Sequence, residues 1–168
     1  MNDSAPQPGI EGEARFEPEL FELIPHRPPM LLINDIVSVD ATCSSALVRI
    51  DELASFYTAE LGVPVWIGIE YMGQTAALIA GYQLKQGLME PHLGFLLGTR
   101  RYNTEVEYFA PGSVLLVECS EKALVGDDLA TFACTIRYNG SDEVLAEASL
   151  SVFRKPPEVA ENSVSEHE

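Results

Sequence analysis

Apolar and polar positions follow two different patterns along this chain. Residues 30–39, MLLINDIVSV, are a mostly apolar run rich in Ile and Val, and residues 43–50 alternate. Together they predict a strand and its hairpin partner. Residues 66–87, WIGIEYMGQTAALIAGYQLKQG, then read as one long helix that is apolar nearly all round, with Glu70 its only carboxylate and Lys85 near its end. Such a helix is buried on most sides. Gly68, Gly73, Ala76, Ala77, Ala80 and Gly81 recur at steps of three and four. This face of little bulk predicts a sheet wrapped closely around the helix. After Gly87 and Pro91 the pattern returns to strands, over residues 93–99, 104–109, 114–120, 129–138 and 144–153.

Turn signals separate them: Ala110-Pro111-Gly112, Gly126-Asp127-Asp128 and Asn139-Gly140, the last a strong short-hairpin signal. Ahead of the first strand, residues 19–24 predict a short helix with Leu20, Leu23 and Ile24 inward, stopped by Pro25. Residues 51–65 predict a loop into the long helix. There is no internal repeat. Hairpin, long helix, then consecutive strands make an α+β chain and not a parallel α/β sheet.

With 168 residues, nearly half of them hydrophobic, one domain with a sizeable core is the simplest organisation. Its expected limits are residues 16–155. Residues 1–15 are rich in Pro, Gly, Ser and acid, residues 156–168 are acidic, and both compositions predict disordered tails. The net charge of −16 opposes binding to nucleic acid and to anionic membrane surfaces, both of which demand basic patches. The helix is long enough to raise a membrane span, but Glu70, Gln74, Gln83, Lys85 and the lack of basic flanks argue for a soluble core helix. Cys43, Cys119 and Cys134 lack metal-ligand spacing and fit reduced thiols of a cytoplasmic protein. The N-terminus has neither the basic region nor the apolar run of a secretory signal.

Candidate chemistry is sparse. A carboxylate in a first helical turn is favoured by the helix dipole and often does nothing more. Yet Glu70 sits among Trp66, Ile67, Ile69 and Met72, and burial there would raise its pKa and suit a general acid. His26 is held between prolines in LIPHRPPMLLINDIV, where a rigid loop could fix an imidazole or simply present a surface histidine. His92 lies in a Pro-marked turn and His167 in the tail. Gln74, one turn beyond Glu70, could orient it or be a core amide satisfied by backbone. Arg100 and Arg101 interrupt an apolar strand region and read either as solubilising strand-end charges or as docking cations, and Arg27 is similarly ambiguous. No metal site, glycine-rich phosphate loop or nucleophilic triad is recognisable, and no cofactor is implied.

Four stretches carry a resemblance: LIPHRPPMLLINDIV (23–37), GIEYMGQTAALIAG (68–81), GFLLGTRRY (94–102) and EYFAPGSVLLVE (107–118). Together the chain resembles the β-hydroxyacyl-acyl carrier protein dehydratases of the hotdog fold, in the ApeP-like branch associated with aryl polyene synthesis. The P-H-R loop and the E-x-M-x-Q helix start are its specific parts. The resemblance implies a sheet wrapped around the helix and a two-fold dimer with active sites at the interface, or a higher or mixed assembly with another pathway subunit. In the better-known fatty-acid dehydratases a histidine and an acid from opposite subunits act together. Glu70 matches the acid. The G-H-F-P loop that carries the histidine of the FabZ-type branch corresponds here to FYTAELGVPVW (56–66), which has none. His26 matches the remaining family histidine position, so either it serves as base or the chain has lost its base.

The activity so implied is removal of water from a 3-hydroxyacyl thioester on an acyl carrier protein, giving a trans-2-enoyl thioester in polyene or fatty-acid-like elongation. His26 would be the base, Glu70 the acid and Gln74 its support. Backbone N–H groups at the helix start, Gly68 among them, would polarise the thioester carbonyl. Arg100, Arg101 and Arg27 would meet the acidic carrier protein and its phosphopantetheine. Two other readings stand beside this one: an acyl thioesterase, and a non-catalytic acyl-binding subunit that completes another dehydratase.

Overall fold

The computed structural model of the protein describes residues 14–126 and 128–155. In chain order the elements are α1 (Leu20–Leu23), β1 (Asp35–Val39), β2 (Cys43–Arg49), β3 (Val63–Pro64), a 3-10 turn (Val65–Ile67), α2 (Gly68–Lys85), β4 (Leu93–Thr104), β5 (Tyr108–Phe109), β6 (Val114–Val125), β7 (Leu129–Tyr138) and β8 (Val144–Lys155). The main sheet has six strands in the order β1-β2-β6-β7-β8-β4, and β3 pairs with β5 separately. Every pairing is antiparallel. Helix, then consecutive β-ladders, is the α+β arrangement that the pattern predicts.

Alternation on β6 and β7 builds the concave face. Leu115, Val117 and Cys119 on β6 and Ala130, Phe132, Cys134 and Ile136 on β7 point inward and are buried. Tyr71, Met72, Ala76, Leu78 and Ile79 of α2 are buried against them and against β2. Burying an aliphatic side chain of this kind is worth about 1.5–3 kcal/mol. The small residues of α2 serve two neighbours. A Cβ on Gly68 would lie 2.4 Å from the Tyr102 hydroxyl of β4, whereas one on Gly81 would lie 1.9 Å from the Leu23 carbonyl. At its N-terminal end the helix is approached by the sheet, and at Gly81 by α1. No helix among the described residues is long and apolar enough to cross a membrane.

Three predicted strands differ in start or identity from those formed, and β6 runs on past residue 120 to Val125. The ladder of β1 begins at Asp35 and not at residue 30, because Leu32 N–H is held by the Gln74 side chain and not by a strand. Leu31 and Ile33 are nonetheless core residues. Residues 93–99 and 104 belong to one strand, β4, which passes through Arg100 and Arg101 by register shifts against β8. Of the strand expected at 104–109, Thr104 pairs as the end of β4, and Tyr108 and Phe109 pair separately with β3. At Asn139-Gly140 the connection is longer than a two-residue turn, since β8 starts at Val144, while Gly140 takes the left-handed φ of +86° that the Asn-Gly signal anticipates.

Strand β4 ends the sheet, and among the described residues its far side has no partner strand. Leu93, Phe95, Leu96 and Leu97 are all exposed on it. An open apolar edge is the kind of surface that natural proteins cover. Most of the predicted tail residues, 1–13 and 156–168, lie outside the described residues. Arg15 is described: its side chain is only 10% exposed and it pairs with Asp51 at 2.7 Å.

Candidate active site

Pro25 ends α1, and the chain crosses the start of α2 as a loop carrying His26. Arg27 shapes that loop. Its guanidinium donates to the carbonyls of Ile24 at 2.8 Å, His26 at 2.8 Å and Phe21 at 2.8 Å, and it lies over the Phe21 ring. These bonds satisfy carbonyls at the end of α1 that the short helix leaves open. Arg27 is therefore spent on the backbone around His26.

His26 Nε2 stands 3.9 Å from Glu70 Oε1 in the same chain. The resemblance places such pairs across two subunits, whereas here both members come from one. The imidazole side chain is 29% exposed and the carboxylate 39%. Glu70 is thus less buried than its apolar sequence neighbours suggest, because the first turn of α2 opens at the sheet's rim. His26 Nδ1 is buried with no hydrogen-bond partner among the described residues. Burial lowers the pKa of His26 below the ordinary histidine value; Glu70 acts to raise it, and Arg27 to lower it further. The imidazole is accordingly neutral near pH 7, the form that accepts a proton.

Gln74 joins the loop to the helix. It is fully buried. Its Oε1 accepts from Leu32 N–H at 2.8 Å, and its Nε2 donates to Met30 O at 2.8 Å and to Glu70 Oε1 at 2.9 Å. The spacing of four residues puts Glu70 and Gln74 on one helical face. The amide then fixes the carboxylate relative to the segment that carries His26.

Gly68 serves packing. Tyr102, Ile136 and Phe109 occupy the space a Cβ would need, and Tyr102 donates to Val65 O at 2.5 Å. No side chain caps the N-terminus of α2, and the Gly68 N–H turns back onto the 3-10 turn, to Val65 O. Trp66 lies one turn before Glu70, is exposed, and contacts Phe56, a non-glycine residue at φ +66°. Nothing in the residue pattern signals that aromatic pair beyond the four-residue spacing of Trp66 and Glu70. His92 is not part of the cluster, and its Nδ1 lies 3.3 Å from Glu90 O. Arg100 and Arg101 are exposed on β4, and among the described residues neither side chain makes an ion pair or hydrogen bond. No group of three metal-ligating side chains exists among the described residues.

The family model for ApeP-like proteins, described as ApeP dehydratase, matches residues 18–164. The chain belongs to the ApeP-like dehydratase family. Among solved structures, the ApeP-like chain is similar to the dehydratase heterocomplex ApeI:P from Xenorhabdus doucetiae, with 25% identity and a TM-score of 0.69 over 82% of this chain and 90% of that one. A homologue of HP0420 from Helicobacter felis shares the fold at 8% identity and a TM-score of 0.59, over 82% and 89% of the two chains. So does a hypothetical thioesterase with coenzyme A from Streptococcus pneumoniae TIGR4, at 10% identity and a TM-score of 0.56, over 73% and 85%. No curated protein sequence matches. The sheet around α2 is the hotdog fold, and the ApeP-like frame makes the chain a dehydratase-family protein.

Proposed function

We propose that this chain removes water from 3-hydroxyacyl thioesters borne by an acyl carrier protein, with His26 as base and Glu70 as acid. The observation that carries the reading is the 3.9 Å approach of His26 Nε2 to Glu70 Oε1, with Gln74 bonded to the same carboxylate oxygen. His26 takes the C2 proton of the substrate. Glu70, protonated, gives its proton to the departing C3 hydroxyl, and the electron pair of the broken C–H bond becomes the new C2–C3 double bond. Backbone N–H groups in the first turn of α2, beyond Gly68, polarise the thioester carbonyl, a donor contribution worth about 3 kcal/mol of barrier. Positioned proton transfer adds about 10²–10⁴-fold in rate. Gln74 orients the acid and Gly68 keeps the helix start close to the sheet.

The carrier protein, acidic and bearing a phosphopantetheine phosphate, meets the exposed Arg100 and Arg101. Arg27 is a weaker docking candidate, because its guanidinium is bonded to the loop. The apolar free edge of β4 supports assembly into a two-fold dimer or with a second hotdog subunit. The Xenorhabdus structure, a dehydratase heterocomplex, supports the mixed assembly. The setting that fits is the cytoplasm, in polyene or fatty-acid-like elongation.

The test is incubation of the purified chain with a 3-hydroxyacyl and with a saturated acyl carrier protein. Dehydration predicts an enoyl product from the first and no reaction with the second. Free acid released from the saturated substrate, without enoyl product from the hydroxy one, would establish a thioesterase instead. Inertness toward both until a second hotdog subunit is added would make the chain a non-catalytic partner.

A further inference from the structure

Behind the loop that carries His26 lies a cavity of about 320 Å³ which the chemistry above does not use. That is near the lower end of the range of about 300–1,000 Å³ typical of small-molecule sites. Pro28, Pro29, Leu31 and Leu32 line it from the loop, with Phe16 and Ala54 contributing further apolar surface. Its polar lining groups are Arg15, Ser55 and Tyr71.

Two of these are occupied. Arg15 donates to Asp51 at 2.9 Å and to Arg49 O at 3.0 Å, and Ser55 Oγ donates to Pro29 O at 3.4 Å. The Arg15 charge is thus met by a carboxylate, which leaves an anionic ligand little to gain. Tyr71 is different. The residue is 1% exposed, it lines the cavity, and among the described residues its hydroxyl has no hydrogen-bond partner. Burial holds the phenol well above the ordinary tyrosine pKa, with Arg15 acting in the opposite direction, so it is a neutral O–H donor. Its O–H opens to the cavity, where an acceptor on a bound molecule can meet it.

We propose that this cavity is a second binding site, taking a compact aliphatic group that carries one neutral oxygen acceptor, such as a ketone or ester carbonyl, with Tyr71 Oη–H as the donor. The site is joined to the first. Leu32, which lines the cavity, bonds to Gln74 through its N–H, and Gln74 bonds to Glu70. Filling the cavity therefore braces the loop that presents His26. The group can come from the far end of a thioester substrate, a source that rests on the dehydratase reading, or from a free molecule.

The experiment titrates the full chain with 2-hexanone and with n-hexane, reading bound probe by NMR, which does not depend on any activity. The proposal expects both to bind the unaltered protein. Tyr71→Phe should weaken 2-hexanone by about fivefold, the worth of one hydrogen bond, and leave n-hexane within about twofold. Ala54→Phe, which fills the cavity, should abolish both. Should that variant fold poorly, Tyr71→Phe alone decides, since it removes one oxygen and nothing else. No binding to the unaltered protein, or equal affinity for 2-hexanone in Tyr71→Phe, overturns the site. A further arm measures dehydration of short and long 3-hydroxyacyl thioesters with 2-hexanone present. Competition against long substrates alone identifies the substrate's own tail as the occupant, and an equal effect on both identifies a free ligand. Loss of the dehydratase reading would leave the NMR titration untouched.

Discussion

The two ends of α2 carry similar groups in opposite conditions. Near its C-terminal end Gln83 donates to Glu121 at 3.1 Å, and Glu121 accepts from Arg154 at 3.3 Å. Those ionic side chains are only 14% and 7% exposed. At the N-terminal end Gln74 donates to Glu70, which faces His26 at 3.9 Å, and both titratable side chains are partly open to solvent. The first cluster is an acid and a base bonded to each other in near-complete burial, with the amide bonded to the acid. The second is an acid, a base and an amide whose two titratable members stay partly open to solvent. A buried closed pair serves the fold, because losing one partner strands a charge. An open pair whose histidine is held neutral is suited to moving protons.

The largest effect expected from this contrast is on turnover. Glu70→Gln keeps the side chain's size and removes its proton, and should reduce dehydration by about 10²–10⁴-fold with an unchanged melting temperature. Arg154→Ala should do the reverse. It leaves Glu121 buried without its cation and should cost about 3–5 kcal/mol in a denaturant titration, while the turnover of the folded fraction stays near normal.

Gln74→Leu sits between the two ends in kind. It strands the Leu32 N–H and the Met30 carbonyl, so about 1–3 kcal/mol of stability should go, and turnover should fall because the carboxylate loses its brace. A stable variant with full activity would remove Gln74 from the site.

The smallest effect concerns pH. Since burial lowers His26, its NMR titration should fall below the ordinary histidine value, near 6.5. Glu70→Gln removes a raising influence and should move it further down, and Arg27→Gln removes a lowering one and should move it up. The unfolded chain binds the proton more readily than the folded one. His26 therefore adds stability that is complete above about pH 6.5 and is lost as pH falls toward its folded value. A midpoint at or above 6.5 would contradict the burial of the imidazole.

Much of this was legible in the chain. Period-two alternation and the long apolar helix are strong signals, and they located every strand of the main sheet. What failed were the backbone's private arrangements: Gln74 holding Leu32 in place of a strand partner, and β4 continuing through two arginines by shifting its register. Neither has a period to read. Glu70, Gln74 and His26 stand out as polar residues in apolar or Pro-bound surroundings, but their closeness depends on how the loop crosses α2. Arg27 was legible only as a charge, and its bonds to three carbonyls follow from where α1 happens to end. Tyr71 was invisible as chemistry, because a tyrosine on an apolar helix reads as core until its hydroxyl is seen without a partner.

The working pair, His26 and Glu70, belongs to one chain. That placement is tested most directly by co-expressing His26→Ala and Glu70→Gln and assaying the mixed protein. If the pair forms within a chain, every site in the mixture lacks one group and the mixture is as inactive as either variant. Were each site instead built from opposite subunits of a two-fold dimer, random pairing would restore about a quarter of normal turnover. Recovery of that size would contradict the account.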